Sequence, residues 1–75
     1  MEKNELSSIL YEMILNAEKG NVYVQYHLFG IKYVEEILNS NFSIEEIVEN
    51  AGIRKSLASE IRKGMKLSKF VKVKD

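Results

Sequence analysis

Apolar residues recur at intervals of three and four along the first part of the chain. This spacing predicts an amphipathic helix over residues 4–19, with Asn4 as its N-cap and Gly20 at its end. Tyr11 and Leu15 lie on the opposite side of this helix, where a monomer normally carries polar groups. Two interpretations stay open for that pair, a dimer contact or isolated exposed apolar residues. The predicted buried stripe is Leu6, Ile9, Leu10, Met13, Ile14 and Ala17.

The next segment, residues 22–29, fits both a strand and a helix. Its β-branched and aromatic residues favour a strand, whereas a helical stripe also runs through it. We predict a helix over residues 25–39 and then a polar connector. At the other end of the chain, residues 70–74 alternate between apolar residues and Lys, which fits a short strand paired with residues 22–24 or, equally, coil. The predicted buried face of the helix is Leu28, Ile31, Val34, Ile37 and Leu38.

Residues 43–64 have the pattern of a helix-turn-helix. Ser43 and Glu46 have the spacing of a capping box, in which each side chain bonds the other's backbone N–H, so a helix is predicted over residues 44–51. Gly52 follows where the chain must turn in the left-handed conformation. A second helix is predicted over residues 54–63. The residues expected to pack these helices together are Ile44, Ile47, Val48, Ala51, Ile53, Leu57, Ala58 and Ile61.

The chain has 75 residues, near the size at which one hydrophobic core supplies only roughly 3–5 kcal/mol of stability. We therefore predict a single domain over residues 1–75. It is an all-α bundle of about four helices that contains a helix-turn-helix, with the terminal strand pair as an open alternative and a basic tail over residues 64–75. The chain has no Cys for a disulfide, so self-association is the expected source of further stability.

A formal net charge of zero conceals two oppositely charged parts. Residues 1–53 contain nine Glu against three Lys, a balance of −6. Residues 54–75 contain six Lys and two Arg against Glu60 and Asp75, a balance of +6. The positive charge therefore coincides with the second helix of the motif and the tail, which predicts an anionic partner for that part.

Residues 42–64 resemble the XRE family, the DNA-binding domain of the Cro and phage-repressor type. The sequence FSIEEI over residues 42–47 is similar to the opening of that family's second helix, and SLASEIRKG over residues 56–64 to its recognition helix. Upstream, GIKYVEEIL over residues 30–38 resembles its first helix. Ile44 stands where the family commonly has Gln, and Val48 where it has Ala. Only eleven residues follow Gly64, so we expect a divergent member without the usual C-terminal helices, in which the N-terminal helix packs under the motif instead.

The resemblance implies that the second helix of the motif enters the major groove of double-stranded DNA. Base contacts are expected near the start of that helix, and phosphate contacts from the later cations. Glu60 either accepts from cytosine or forms an ion pair with Lys63, and we favour the ion pair. The candidate DNA-binding residues are Ser43, Arg54, Lys55, Ser56, Ser59, Glu60, Arg62, Lys63, Lys66 and Lys69.

The expected function is sequence-specific DNA binding by a small cytoplasmic transcriptional repressor. A single motif binds weakly, so we expect a homodimer on a near-palindromic site, with the N-terminal helix as its contact surface. The alternative is a protein-binding regulator, an antirepressor or enzyme inhibitor that uses the acidic part. An enzyme, a cofactor, a metal and a membrane span are not expected. His27 is the single His, no Ser has a nucleophile-elbow context, and no segment approaches about 20 apolar residues.

Overall fold

The structure, a computed structural model, describes residues 2–74 and is built from helices. Five α-helices lie in this range, and a 3-10 turn at Lys55–Leu57 directly precedes the last of them. Between residues 2 and 74 there is no strand, so the predicted all-α bundle is confirmed. The strand pair is not formed, because residues 22–24 begin a helix and residues 71–74 have no regular structure. The helices are α1 (Lys3–Leu15), α2 (Val22–Lys32), α3 (Val34–Asn39), α4 (Ile44–Asn50) and α5 (Ala58–Leu67).

Helix α1 packs against α4, as expected of a helix that lies under the motif. Leu6 and Leu10 are fully buried there, and the buried Ser7 hydroxyl donates to the Ile47 carbonyl oxygen of α4 at 2.9 Å. The helix is shorter than the predicted range of residues 4–19. Glu2, not Asn4, is its N-cap, and it ends at Leu15.

The predicted helix over residues 25–39 is in fact two helices, α2 and α3, which meet at Tyr33. The predicted buried face is also wrong for most of its length. Tyr26, Phe29 and Gly30 are the buried residues of α2, whereas Leu38 of α3 is 69% exposed. The prediction assumed a stripe through Leu28 and Ile31, but a different side of α2, marked by Phe29 and Gly30, faces the core. Of the predicted face, Ile37 is buried, while Leu28, Ile31 and Val34 are half-buried.

Helices α2 and α5 touch at the backbone level, through Gly30 and Gly64. A Cβ atom on Gly30 would overlap the Ile61 carbonyl oxygen and would lie 2.9 Å from the Met65 nitrogen. A Cβ atom on Gly64 would overlap the His27 carbonyl oxygen. Since only glycine leaves room for this approach, the two glycines fix α5 against α2 and decide which side of α5 faces outward.

One hydrophobic core joins α1, α2, α3, α4 and α5. The residues predicted to pack the helix-turn-helix lie in or against it: five are buried, and Ala51, Ile53 and Leu57 are partly buried. Over the described range, no helix combines the length and apolar character that crossing a membrane requires. The buried core residues are Leu6, Leu10, Tyr26, Phe29, Ile37, Ile44, Ile47, Val48, Ala58 and Ile61.

Candidate nucleic-acid interface

The capping box and the glycine turn that define the motif are both formed. Ser43 Oγ accepts from the Glu46 N–H at 3.1 Å, and Glu46 Oε1 accepts from the Ser43 N–H at 3.0 Å, so α4 begins at the predicted place. A cap of this kind contributes about 1 kcal/mol. Gly52 has φ = +77°, the left-handed conformation, and α4 ends at Asn50 just before it. The chain therefore reverses where the sequence predicts a turn.

The second helix of the motif begins and ends later than predicted. Arg54 is extended, and residues 55–57 form the 3-10 turn, so three predicted base readers precede α5. Helix α5 then runs from Ala58 to Leu67, which brings Lys66 from the predicted tail onto the helix. Ser59 Oγ donates to the Ser56 carbonyl oxygen at 3.0 Å and joins the turn to the helix.

Helix α5 has one packed side and one free side. Successive residues are about 100° apart around a helix, so Ser59, Arg62, Lys63 and Lys66 share the side opposite the packed residues. All four are exposed, whereas Ala58, Ile61 and Gly64 are buried. We call this exposed side the outer face of α5. With one exception the predicted DNA-binding residues are exposed: Ser43, Arg54, Lys55, Ser56, Ser59, Arg62, Lys63, Lys66 and Lys69.

The exception is Glu60, which lies on the edge of α5 nearest to α2. Its side chain is only 20% exposed, and both of its oxygens have partners. His27 Nε2 lies 3.0 Å from Oε1, and Lys63 Nζ donates to Oε2 at 3.0 Å. The favoured ion pair with Lys63 is therefore present. The contact with His27 was missed, because the two residues are 33 positions apart and meet only where α2 crosses α5.

These contacts make the stability of the fold depend on pH. The hydrogen bond from His27, and then that from Lys63, hold the pKa of Glu60 below its ordinary value of 4.5. The Glu60 contribution is therefore fully present above that value and is lost as the pH falls through the lower pKa of the folded state. We expect the wild type to exceed Glu60→Gln in free energy of unfolding at neutral pH.

Urea denaturation between about pH 7 and pH 3 measures this difference. It should shrink progressively as the pH falls below the ordinary Glu60 value. A difference that stays constant across this range would show that the Glu60 carboxylate does not stabilise the fold through its charge.

Comparison with known families shows which protein family the chain belongs to. A family model described as an HTH-like domain matches residues 2–74. The chain belongs to the HTH-like domain family. Searches of curated proteins and of solved structures gave no significant match. In residues 2–74 of this HTH-like domain, no group of three or more His, Asp or Glu side chains is placed to hold a metal ion.

The acidic and basic parts of this HTH-like domain are in contact. Arg62 Nη2 donates to Glu45 Oε1 at 2.7 Å, and Lys55 Nζ lies 3.6 Å from Glu49 Oε1. Both carboxylates belong to α4. The hydrogen bond from Arg62 lowers the pKa of Glu45. Together with Lys63, which donates to Glu60, three cations that the sequence presented as available for DNA already have a carboxylate beside them.

Proposed function

We propose that this HTH-like domain binds double-stranded DNA sequence-specifically and acts as a small transcriptional repressor. The observation that carries the proposal is the outer face of α5, where Arg62, Lys63 and Lys66 project from a helix whose other side is fixed to α2. A cationic helix held in this way fits the major groove, which has room for one α-helix. The resemblance of residues 42–64 to the XRE and Cro type supports the same arrangement.

The start of α5 and the turn before it are assigned to base readout. Recognition helices contact bases mainly through their N-terminal residues, which here correspond to Arg54, Lys55, Ser56 and Ser59. An Arg or Lys at that place donates to O6 and N7 of guanine. Glu60 is assigned to holding Lys63 and His27 rather than to reading a base.

Phosphate contacts are assigned to the later cations and to the cap of α4. Such contacts fix the register of the protein on the duplex and supply affinity without reading sequence. Ser43 uses its oxygen as an acceptor for the cap, so its hydroxyl proton stays available for a phosphate oxygen. The assigned residues are Ser43, Arg62, Lys63, Lys66 and Lys69.

A homodimer completes the proposal. Tyr11 and Leu15 are 49% and 63% exposed and lie four residues apart on α1, so they supply one apolar strip. A two-fold dimer places two copies of α5 on two half-sites, and the operator is then nearly palindromic. We propose the cytoplasm as the place where this regulator acts.

Selection of bound sequences from a random duplex pool tests the proposal. We expect enrichment of one sequence with two half-sites about one helical turn, roughly 10–10.5 base pairs, apart. A pool that stays random after repeated rounds would contradict sequence-specific binding. Enrichment of a single half-site would contradict the dimer alone.

A protein-binding regulator is the second candidate function. The contacts of Arg62 with Glu45 and of Lys55 with Glu49 favour it, because they reduce the charge that the outer face offers to a polyanion. Such a protein would act as an antirepressor or an enzyme inhibitor and would bind a repressor or an enzyme through the acidic part of the chain. Selection with such a protein would enrich no sequence from the random duplex pool.

A further inference from the structure

We propose that Glu45 is an internal competitor of DNA, which occupies Arg62 and thereby limits the affinity of the outer face of α5 for any duplex. The inference rests on the proposed function, because it concerns the regulation of the same surface. Glu45 lies in the first turn of α4 and Arg62 in the middle of α5, so the contact joins the two helices of the motif.

The geometry is that of a charge-assisted hydrogen bond. The distance of 2.7 Å between Arg62 Nη2 and Glu45 Oε1 lies at the short end for such pairs, and a phosphate oxygen would seek the same N–H groups. The side chains are 46% and 37% exposed, so a duplex can reach them. A phosphate that binds Arg62 must therefore displace the carboxylate or lie beside it as a second anion.

The contact is not needed to start α4. Glu46, not Glu45, forms the capping box with Ser43. Exposed ion pairs also contribute little to stability, because water and salt screen them. A strong charged contact at an exposed place, which adds little to the fold and lies on the proposed DNA surface, has its main effect on what that surface binds.

Lys55 and Glu49 form a looser pair of the same kind. Their charged atoms are 3.6 Å apart and their side chains are 63% and 53% exposed, so this pair is weaker than the one between Arg62 and Glu45. The two ion pairs therefore differ in strength. Removal of the Glu45 charge should strengthen DNA binding more than removal of the Glu49 charge.

Counterion release supplies the measurable consequence. Each phosphate that a cation neutralises steepens the dependence of log K on log salt by about 0.9. Arg62 contributes less than a full contact while Glu45 stays beside it. For Glu45→Gln, which keeps the shape of the side chain, we expect roughly fivefold tighter binding and a salt slope steeper by up to about 0.9.

The experiment is fluorescence anisotropy of the full chain with a labelled random-sequence duplex at several salt concentrations. The variants are Glu45→Gln, Glu49→Gln, Arg62→Gln and the double variant Glu45→Gln/Arg62→Gln. Glu12→Gln, an exposed position on α1, removes one negative charge elsewhere and is the matched control. Thermal melts followed by circular dichroism confirm that each variant folds.

We expect tighter binding and a steeper slope for Glu45→Gln, little change for Glu12→Gln, and no effect of Glu45→Gln once Arg62 is absent. Equal gains for Glu45→Gln and Glu12→Gln would overturn the inference, since net charge would then explain them. Weaker binding by Glu45→Gln would also overturn it, because Glu45 would then position Arg62 for DNA. If no variant binds duplex even at the lowest salt concentration, the proposed function itself fails.

Discussion

Replacement of Gly64 by alanine is expected to lower the free energy of unfolding by about 2–3 kcal/mol. The new Cβ atom would overlap the His27 carbonyl oxygen, and backbone atoms cannot move aside as a flexible side chain can. Alanine is the better helix former by about 1 kcal/mol, and the expected loss is what remains after this gain. In a domain of 75 residues such a loss removes a large part of the total stability.

Urea denaturation measures the effect, and Gly20→Ala is the control. Gly20 has a positive φ, +90°, and a Cβ atom there meets nothing within 4 Å. Its replacement causes backbone strain alone, at a cost of about 1 kcal/mol. Gly64→Ala should therefore be clearly less stable than Gly20→Ala. Equal stability of Gly64→Ala and the wild type would contradict the backbone contact between α2 and α5.

The double variant Lys55→Glu/Lys66→Glu is expected to bind duplex DNA at least about 100-fold more weakly than the wild type. Both side chains are exposed, one before α5 and one near its C-terminal end, so the free energy of unfolding should change by only about 1 kcal/mol or less, which includes the loss of the exposed contact of Lys55 with Glu49. The loss arises because two expected contacts become repulsions at the DNA surface.

The matched control is Lys19→Glu, which makes, in the segment between α1 and α2, the same change in net charge that Lys66→Glu makes on α5. At physiological salt the Debye length is about 8 Å, so distant charges are screened and this control should lose little affinity. Fluorescence anisotropy with one duplex and one salt concentration compares the pair. Equal losses in Lys19→Glu and Lys66→Glu would show that DNA responds to net charge, and not to the outer face of α5.

The helix-turn-helix was predictable because its signals are local. Ser43, Glu46 and Gly52 lie within ten residues, and each acts through its own backbone or that of a close neighbour. The break between α2 and α3 was not predictable in this way. Neither Gly nor Pro lies at Tyr33, and the predicted apolar stripe runs across the break without interruption. The side of α2 that is buried is set by the contact of Gly30 with α5, and that contact is tertiary.

The candidate site was likewise predictable only where its signals are local. The cationic side of α5 follows from the periodicity of Leu57, Ala58 and Ile61, which fixes the packed side and hence the exposed one. This periodicity does not predict which carboxylates lie beside these cations. Glu45 is 17 residues from Arg62, and they meet because of the angle at which α4 and α5 cross. Sequence separation hid the contact of His27 with Glu60 for the same reason.

The most direct test of the central claim, that the outer face of α5 binds DNA through its phosphates, is the salt dependence of duplex binding. Four phosphate contacts per protomer, from Arg62, Lys63, Lys66 and Lys69, predict a slope of log K against log salt of about −3 to −4, reduced by the share of Arg62 that Glu45 occupies and the share of Lys63 that Glu60 occupies. A straight line with that slope is the result expected here. Binding that does not change with salt, or no binding at the lowest salt concentration, would contradict the claim.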